Sequence, residues 1–139
     1  MIIHLNLEPV KRYLMIKNVI IIGAGGFIGS VARYYVSKLN LMVSFFSIPI
    51  GTLLINITGS LILGFLIGIS EKSISMTTEM RLFLMVGLCG GFTTFSTFAG
   101  ENLVLLHNGQ FLSILLYTGL SIFLSFIAVY FGYALTNLL

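Results

Sequence analysis

The chain has few charged residues: Asp, Glu, Lys and Arg make up 8% of its 139 residues, whereas hydrophobic residues make up 58%. Soluble domains carry roughly a quarter charged residues, so this composition excludes an ordinary soluble domain and predicts an integral membrane protein. The seven Lys and Arg residues are dispersed along the chain, which argues against a nucleic-acid-binding surface. Because Cys89 is the single cysteine, a disulfide bond within the chain is excluded.

Four apolar stretches are each long enough to cross a bilayer core, which takes about 20 residues. The connectors are short and hold most of the charge, so no soluble domain fits between them. We predict an all-α membrane protein with an N-terminal extension (residues 1–16) and a four-helix transmembrane domain (residues 17–139). The four predicted spans are about residues 17–36, 48–69, 80–104 and 111–135.

Positive charges are nearly balanced between the two ends of these predicted helices. Counted from Met15, the side with the N-terminus and the second connector holds three Lys and Arg residues, and the other side holds two. Positively charged connectors tend to stay in the cytoplasm, so a near balance permits insertion in both orientations. The extension adds Lys11 and Arg12 to one side, which weakens that balance.

The glycines of the first span, residues 23–29, match the spacing of a nucleotide-binding turn. That fold alternates strands with helices and holds the ribose with an acidic residue about 20 positions further on, whereas the next acidic residue here is Glu71. Gly25 and Gly29, one helical turn apart, instead predict a close helix crossing. The same spacing recurs at Gly64 and Gly68 and at Gly87 and Gly91.

The third span contains the sequence GGFTTFSTF at residues 90–98. Paired glycines weaken a helix, and backbone groups freed within a membrane must find partners. We therefore predict a third helix broken mid-membrane, which exposes carbonyls suited to a cation and N–H groups suited to an anion. Phe95 and Phe98 lie three residues apart, and the positive edges of their rings can stabilise an anion without a formal charge.

Other polar residues lie within the remaining spans. Asn56 is close to the middle of the second span, where its amide either joins helices or donates to a ligand. Arg33 either reaches the membrane interface or attracts anions into a vestibule. Three hydroxyls on the fourth span form one stripe, although such hydroxyls often bond back to their own helix; they belong to Tyr117, Ser121 and Ser125.

Together these residues resemble the small bacterial fluoride channels of the Fluc (CrcB) family. The resemblance covers about residues 17–135 and rests on four groups of residues in the same order, of which the third is the most specific. The groups are Gly25, Gly26, Gly29, Arg33 and Tyr34; Gly51, Thr52, Asn56 and Gly59; residues 90–98 with Glu101; and Tyr117, Ser121 and Ser125.

The resemblance implies a channel rather than an enzyme. Two four-helix subunits would insert antiparallel as a dual-topology homodimer, with two narrow pores along their interface. The channel would sit in the lipid bilayer of the bacterial inner membrane as a multi-pass protein, export fluoride passively and so lower its toxicity. The implied fluoride pathway is lined by Asn56, Phe95, Ser96, Phe98, Tyr117, Ser121 and Ser125, with Arg33 in the vestibule.

The resemblance also implies a structural Na⁺ at the centre of the dimer. Its ligands would be the main-chain carbonyls of Gly90 and Thr93 from both subunits. Oxygen ligands suit a hard monovalent cation, and the sequence shows no set of His, Cys and carboxylate residues that could replace them.

Two other functions account for part of the sequence. A small proton-coupled multidrug transporter also has four spans, but it needs a membrane-embedded carboxylate, and Glu101, toward the end of the third span, is the only candidate. A structural or regulatory membrane subunit would explain the glycine spacing but not the polar stripe of the fourth span.

Overall fold

The computed structural model describes residues 8–42, 44–45, 47–72 and 76–138, so the first seven residues of the predicted extension lie outside the described range. Within that range the regular secondary structure is helical apart from one small hairpin. Four helices are long and apolar enough to cross a membrane, which confirms the predicted all-α class and the number of spans. These four spans cover Glu8–Ser37, Ile50–Lys72, Thr78–His107 and Phe111–Leu138.

Helix α1 (Glu8–Ser37) is longer than the apolar stretch that predicted it. It begins within the extension and continues without interruption into the first span, because residues 8–16 contain no glycine and their one proline, Pro9, lies in the first turn, where proline is tolerated. The division of the chain at residue 16 is therefore not marked by a break in the helix and stays a prediction.

The connector after α1 holds a short helix and a two-stranded hairpin that the sequence did not predict. Helix α2 (Leu39–Met42) is followed by β1 (Ser44–Phe45) and β2 (Ile48–Pro49), which pair antiparallel. Ser47 has a positive φ of 58° in the turn between the strands. The hairpin leads directly into α3 (Ile50–Lys72).

The third span is composed of several segments. Helix α4 (Thr78–Arg81) leads into a π-helical segment (Leu82–Cys89) and a single turn, α5 (Gly90–Phe92). Helix α6 (Phe95–His107) follows after two residues. The fourth span is α7 (Phe111–Leu135), which ends in a 3₁₀ turn (Thr136–Leu138).

Helices cross closely where the predicted glycines lie. A Cβ atom at Gly25 or Gly29 would overlap backbone atoms of the π-helical segment, and one at Gly64 would overlap the carbonyl oxygen of Val129 on α7. Gly132 meets the Leu61 carbonyl of α3 in the same way. The predicted glycine crossings are thus confirmed: α1 packs along the third span, and α3 packs along α7.

Charged side chains are paired at one end of the bundle, where α1 and the third span begin and α3 and α7 end. Lys17 forms an ion pair with Glu79 at 2.9 Å. Lys72 Nζ donates to the Thr136 carbonyl at 2.6 Å, and Arg81 donates to the Ser70 carbonyl at 2.8 Å. Cations at helix C-termini satisfy carbonyls that lack helical donors and complement the helix dipole.

The crossing of α3 and α7 gives a first prediction. We expect Gly132→Ala to lower the midpoint of thermal unfolding in detergent, because overpacking against a backbone carbonyl costs about 1–3 kcal/mol. Gly119→Ala on the same helix is the matched control, since none of the described residues places a neighbouring atom within 4 Å of its Cβ position. Equal midpoints for the two variants would contradict the close crossing.

Candidate functional site

The third span changes from helical to extended backbone at two residues. Helix α5 ends at Phe92, and Thr93 (φ −75°, ψ 157°) and Thr94 (φ −153°, ψ 119°) are extended before α6 begins at Phe95. The Thr93 N–H still donates to the Cys89 carbonyl at 2.9 Å, whereas the Thr94 N–H does not donate to a carbonyl of its own helix. The backbone groups of Thr94 must therefore be satisfied by other parts of the protein or by a ligand.

Asn56 on α3 pairs with both backbone groups of Thr94. Its Oδ1 accepts from the Thr94 N–H at 3.0 Å, and its Nδ2 donates to the Thr94 carbonyl at 3.3 Å. We call this pair of bonds the Asn56 clasp. It uses one of the two Nδ2 hydrogens, so the amide joins two helices and retains a further donor.

Threonine hydroxyls satisfy other groups at the break. The Thr94 side chain caps α6 by accepting from the Thr97 N–H at 3.3 Å, and the Thr93 hydroxyl donates to the Cys89 carbonyl at 2.9 Å. Thr and Ser are favoured at the start of a helix for this reason. The run of hydroxyls in the sequence is therefore partly explained by the backbone geometry of the break.

The last carbonyls before the break lose their regular donors, and for two of them the hydrogen bonds show where the donor goes instead. In a continuous α-helix the Thr94 amide would donate to Gly90, and the Thr97 amide would donate to Thr93. The first amide donates to Asn56 instead, and the second donates to the Thr94 side chain. The carbonyls of Gly90 and Thr93 are the two that the resemblance predicts as cation ligands.

A cavity of about 470 Å³ lies beside the break. Its wall brings together most of the predicted fluoride residues and both residues whose carbonyls are predicted to ligate the cation. Apolar side chains of α3 and α7 complete the wall. The site residues at the wall are Asn56, Gly90, Thr93, Phe95, Phe98, Ser121 and Ser125. Ser121 is 6% exposed, and its Oγ has no hydrogen-bond partner among the described residues.

The aromatic rings at this wall form a chain of contacts. The Phe95 and Phe98 ring centroids lie 5.7 Å apart, and Phe98 packs on Tyr117 at 5.0 Å. Phe98 is only 9% exposed, whereas Phe95 is 79% exposed. Any anion site that includes Phe95 is therefore open on one side in the chain by itself.

Tyr117 does not line this cavity, and its hydroxyl is hydrogen-bonded. Its ring is fully buried, and its hydroxyl donates to Glu101 Oε2 at 2.6 Å. Glu101 Oε1 in turn accepts from the Thr52 hydroxyl at 2.8 Å and from Asn40 Nδ2 at 3.0 Å. The sequence indicates Glu101 as the candidate carboxylate for proton exchange and Thr52 as part of the family pattern, but it predicts neither their contact with each other nor any role for Asn40. The signal available for Glu101 is a lone carboxylate one turn beyond Phe98 in an apolar helix.

Arg33 and Ser96, like Tyr117, lie outside the first cavity. Arg33 lines a second, smaller cavity of about 270 Å³ on the other side of the break, together with Thr52, Thr94 and Thr97. Ser96 is exposed and is not part of either wall. A fluoride contact at Ser96 stays a prediction, as do the roles of the other pathway residues.

Comparison with known proteins assigns the chain to a family. The family described as "CrcB-like protein, Camphor Resistance (CrcB)" matches residues 20–133. The chain belongs to the CrcB family. This membership confirms the resemblance found in the sequence, and the chain is a multi-pass membrane protein of a channel family rather than an enzyme.

Individual relatives in this family are similar over nearly their whole length. A protein of Azobacteroides pseudotrichonymphae is 38% identical over 123 residues, which cover 88% of this chain and 98% of the relative. One of Rhizobium meliloti is 42% identical over 86% of this chain and 95% of the relative. One of Bacteroides fragilis is 44% identical over 84% of this chain and 93% of the relative. Each of these relatives is named fluoride-specific ion channel FluC.

The clasp gives a second prediction. Asn56→Leu leaves the Thr94 N–H and carbonyl without their partner, so we expect the free energy of unfolding to fall by about 1–3 kcal/mol. Thermal unfolding in detergent measures the change. Ser60→Ala, which removes a hydroxyl from the same cavity wall without affecting the clasp, is the control and is expected to stay close to the parent protein. An Asn56→Leu protein as stable as this control would show that the clasp does not hold the break.

Proposed function

We propose that this protein is a fluoride-selective ion channel that exports fluoride passively from the cytoplasm across the bacterial inner membrane. The observation that supports this most directly is the cavity wall beside the break. It combines the ring of Phe98 with the amide of Asn56 and the buried hydroxyl of Ser121, for which the described part of the chain supplies no hydrogen-bond partner. Relatives over nearly the full length of the chain carry the name of a fluoride-specific channel, which supports the same assignment.

The chemistry of fluoride explains why such a wall is suitable. Fluoride is small and strongly hydrated, so a pore must replace its lost water with donors at each step. A fixed cation in the pathway would hold the anion too tightly for rapid conduction. Hydroxyl and amide groups and ring edges are weaker, uncharged partners. Ser121 and Ser125, one turn apart on α7, would pass the ion along, with the Asn56 amide beside them.

Arg33 would act in the vestibule, before the narrow part of the path. Arg33 lines the second cavity together with Thr94 and Thr97 of the third span and lies outside the first cavity. A cation at a pore mouth raises the local concentration of anions without becoming a tight site inside the pore. Tyr117 would complete the polar track where α7 approaches Glu101.

The functional unit would be an antiparallel homodimer with two pores. Phe95 is 79% exposed and Phe126 is 74% exposed, yet both line the first cavity. A second copy of the chain would cover these rings and close the open side of the cavity. The near balance of positive charges supports insertion in both orientations, and the third helix would then break at mid-membrane depth in each subunit.

The carbonyls of Gly90 and Thr93 fit a structural Na⁺ at the dimer centre. Both have lost their regular helical donors, and both lie at the cavity wall. Among the described residues no group of three His, Cys, Asp or Glu side chains could hold a metal ion, so backbone oxygens are the ligands at hand. These carbonyl oxygens would ligate a bound cation. Its positive charge would hold together the third spans of the two subunits at their breaks.

A proton-coupled transporter is less well supported. Such a mechanism needs a carboxylate that faces the substrate and exchanges a proton, whereas Glu101 accepts hydrogen bonds from three neutral side chains and lies outside the first cavity.

Fluoride efflux from liposomes tests the proposal. We expect purified protein to release fluoride rapidly and chloride at the rate of protein-free liposomes, because neutral donors at close range favour the smaller anion. A pH gradient with a drug-like cation as cargo is the matched assay for a transporter, and no uptake is expected. Equal release of both halides, or cation uptake driven by the gradient, would contradict a fluoride channel.

A further inference from the structure

Asn40 lies in α2, next to the first turn of α3, and its side chain uses both ends of its amide. The Oδ1 atom accepts from the backbone N–H groups of Gly51 at 2.6 Å and Thr52 at 3.3 Å. The Nδ2 atom donates to Glu101 Oε1 at 3.0 Å and contacts the Thr52 hydroxyl at 3.2 Å. One residue therefore joins the connector, the start of α3 and the middle of α6.

Glu101 is a carboxylate inside a membrane-spanning helix, and its hydrogen-bond partners are uncharged. Asn40 and Thr52 donate to Oε1, and Tyr117 donates to Oε2. Among the described residues its side chain takes part in no ion pair. Each charge-assisted hydrogen bond offsets part of the cost of keeping the carboxylate out of water.

The contacts of Glu101 continue to the fluoride-facing wall. Tyr117, whose hydroxyl Glu101 holds, packs its ring on Phe98 with the centroids 5.0 Å apart. Phe98 lines the first cavity. Asn40 is thus linked through two side chains to an aromatic ring of that wall.

We propose that Asn40 is a positioning residue for fluoride conduction. Its amide donor fixes the Glu101 carboxylate, and Glu101 then fixes the Tyr117 hydroxyl and, through the Tyr117 ring, the Phe98 edge. A carboxylate released from these donors would be free to approach the path and repel the anion. This inference rests on the proposed channel function. If the channel function is wrong, the parent protein does not conduct fluoride; if only the role of Asn40 is wrong, the parent protein conducts fluoride and the Asn40 variants conduct it equally well.

Asn40→Asp separates the positioning role from a purely structural one. Asp has the same size and caps helix amides as well as Asn does, so it keeps the bonds to Gly51 and Thr52. It has no donor for Glu101 and places a second carboxylate against it. We expect fluoride current in planar bilayers at about pH 7.5 to fall at least about tenfold, with little change in thermal unfolding.

Acidification gives a readout that a capping role would not change. Two facing carboxylates bind one proton between them as the pH falls, and the protonated oxygen then supplies the missing donor. Current through Asn40→Asp is expected to recover at least in part at about pH 5.5, whereas the parent protein stays nearly constant. Of the side chains that donate to Glu101 among the described residues, Asn40 and Thr52 carry no titratable group, and a tyrosine such as Tyr117 ordinarily titrates far above this range.

Asn108→Asp is the control for an added negative charge, because Asn108 is exposed directly after α6 and makes no contact with Glu101. Its current should match that of the parent protein. Asn40→Asp with parent-like current at both pH values would overturn the proposal, and so would a loss of current that does not recover on acidification. If Asn40→Asp does not fold, Asn40→Ala decides the matter: parent-like current in that variant would equally overturn it.

Discussion

The Asn56 clasp is the interaction on which the rest of the site depends. Extended backbone within a membrane leaves N–H and carbonyl groups that cost several kcal/mol each when they have no partner. Asn56 satisfies both groups of Thr94 from a neighbouring helix, and the threonines of the break satisfy others from within the third span. The break is thereby made compatible with a membrane environment, and α6 can begin with Phe95 and Phe98 at the cavity.

The close glycine crossings determine where this cavity lies. Because Gly64 and Gly132 bring α3 and α7 into backbone contact, Asn56 on one helix and Ser121 on the other are held on the same side of the third span. The crossing of α1 with the π-helical segment, through Gly25 and Gly29, holds the third span from its opposite side. Rigid helices thus place the uncharged donors, which a flexible loop would not do as accurately.

The sequence predicts the helices well because length and apolarity determine a membrane span. The segment with paired glycines followed by threonines, which are poor helix formers, includes the two extended residues Thr93 and Thr94. The sequence does not predict which residue holds the break, because Asn56 and Thr94 are 38 positions apart. In the same way, Asn40 and Glu101 are 61 positions apart, and nothing in the pattern of either segment indicates the contact.

Helical periodicity predicts where some site residues lie but not which partners their side chains bind. Ser121 and Ser125 were placed on one stripe by helical periodicity, and the structure puts both at the cavity wall. Tyr117 belongs to the same stripe, but periodicity could not indicate that its hydroxyl is bonded to Glu101. Ser96 follows Phe95 directly, yet one step along a helix turns a side chain by about 100°, so it points away from both cavities.

We propose that the aromatic and polar wall beside the break conducts fluoride. Fluoride efflux through Phe98→Ile, compared with Phe123→Ile, tests this most directly, because Phe123 is 65% exposed and lies outside both cavities. We expect the fluoride flux through Phe98→Ile to fall at least about tenfold, a difference of about 1.4 kcal/mol, and the flux through Phe123→Ile to match that of the parent protein. Equal flux in the two folded variants would contradict conduction along this wall.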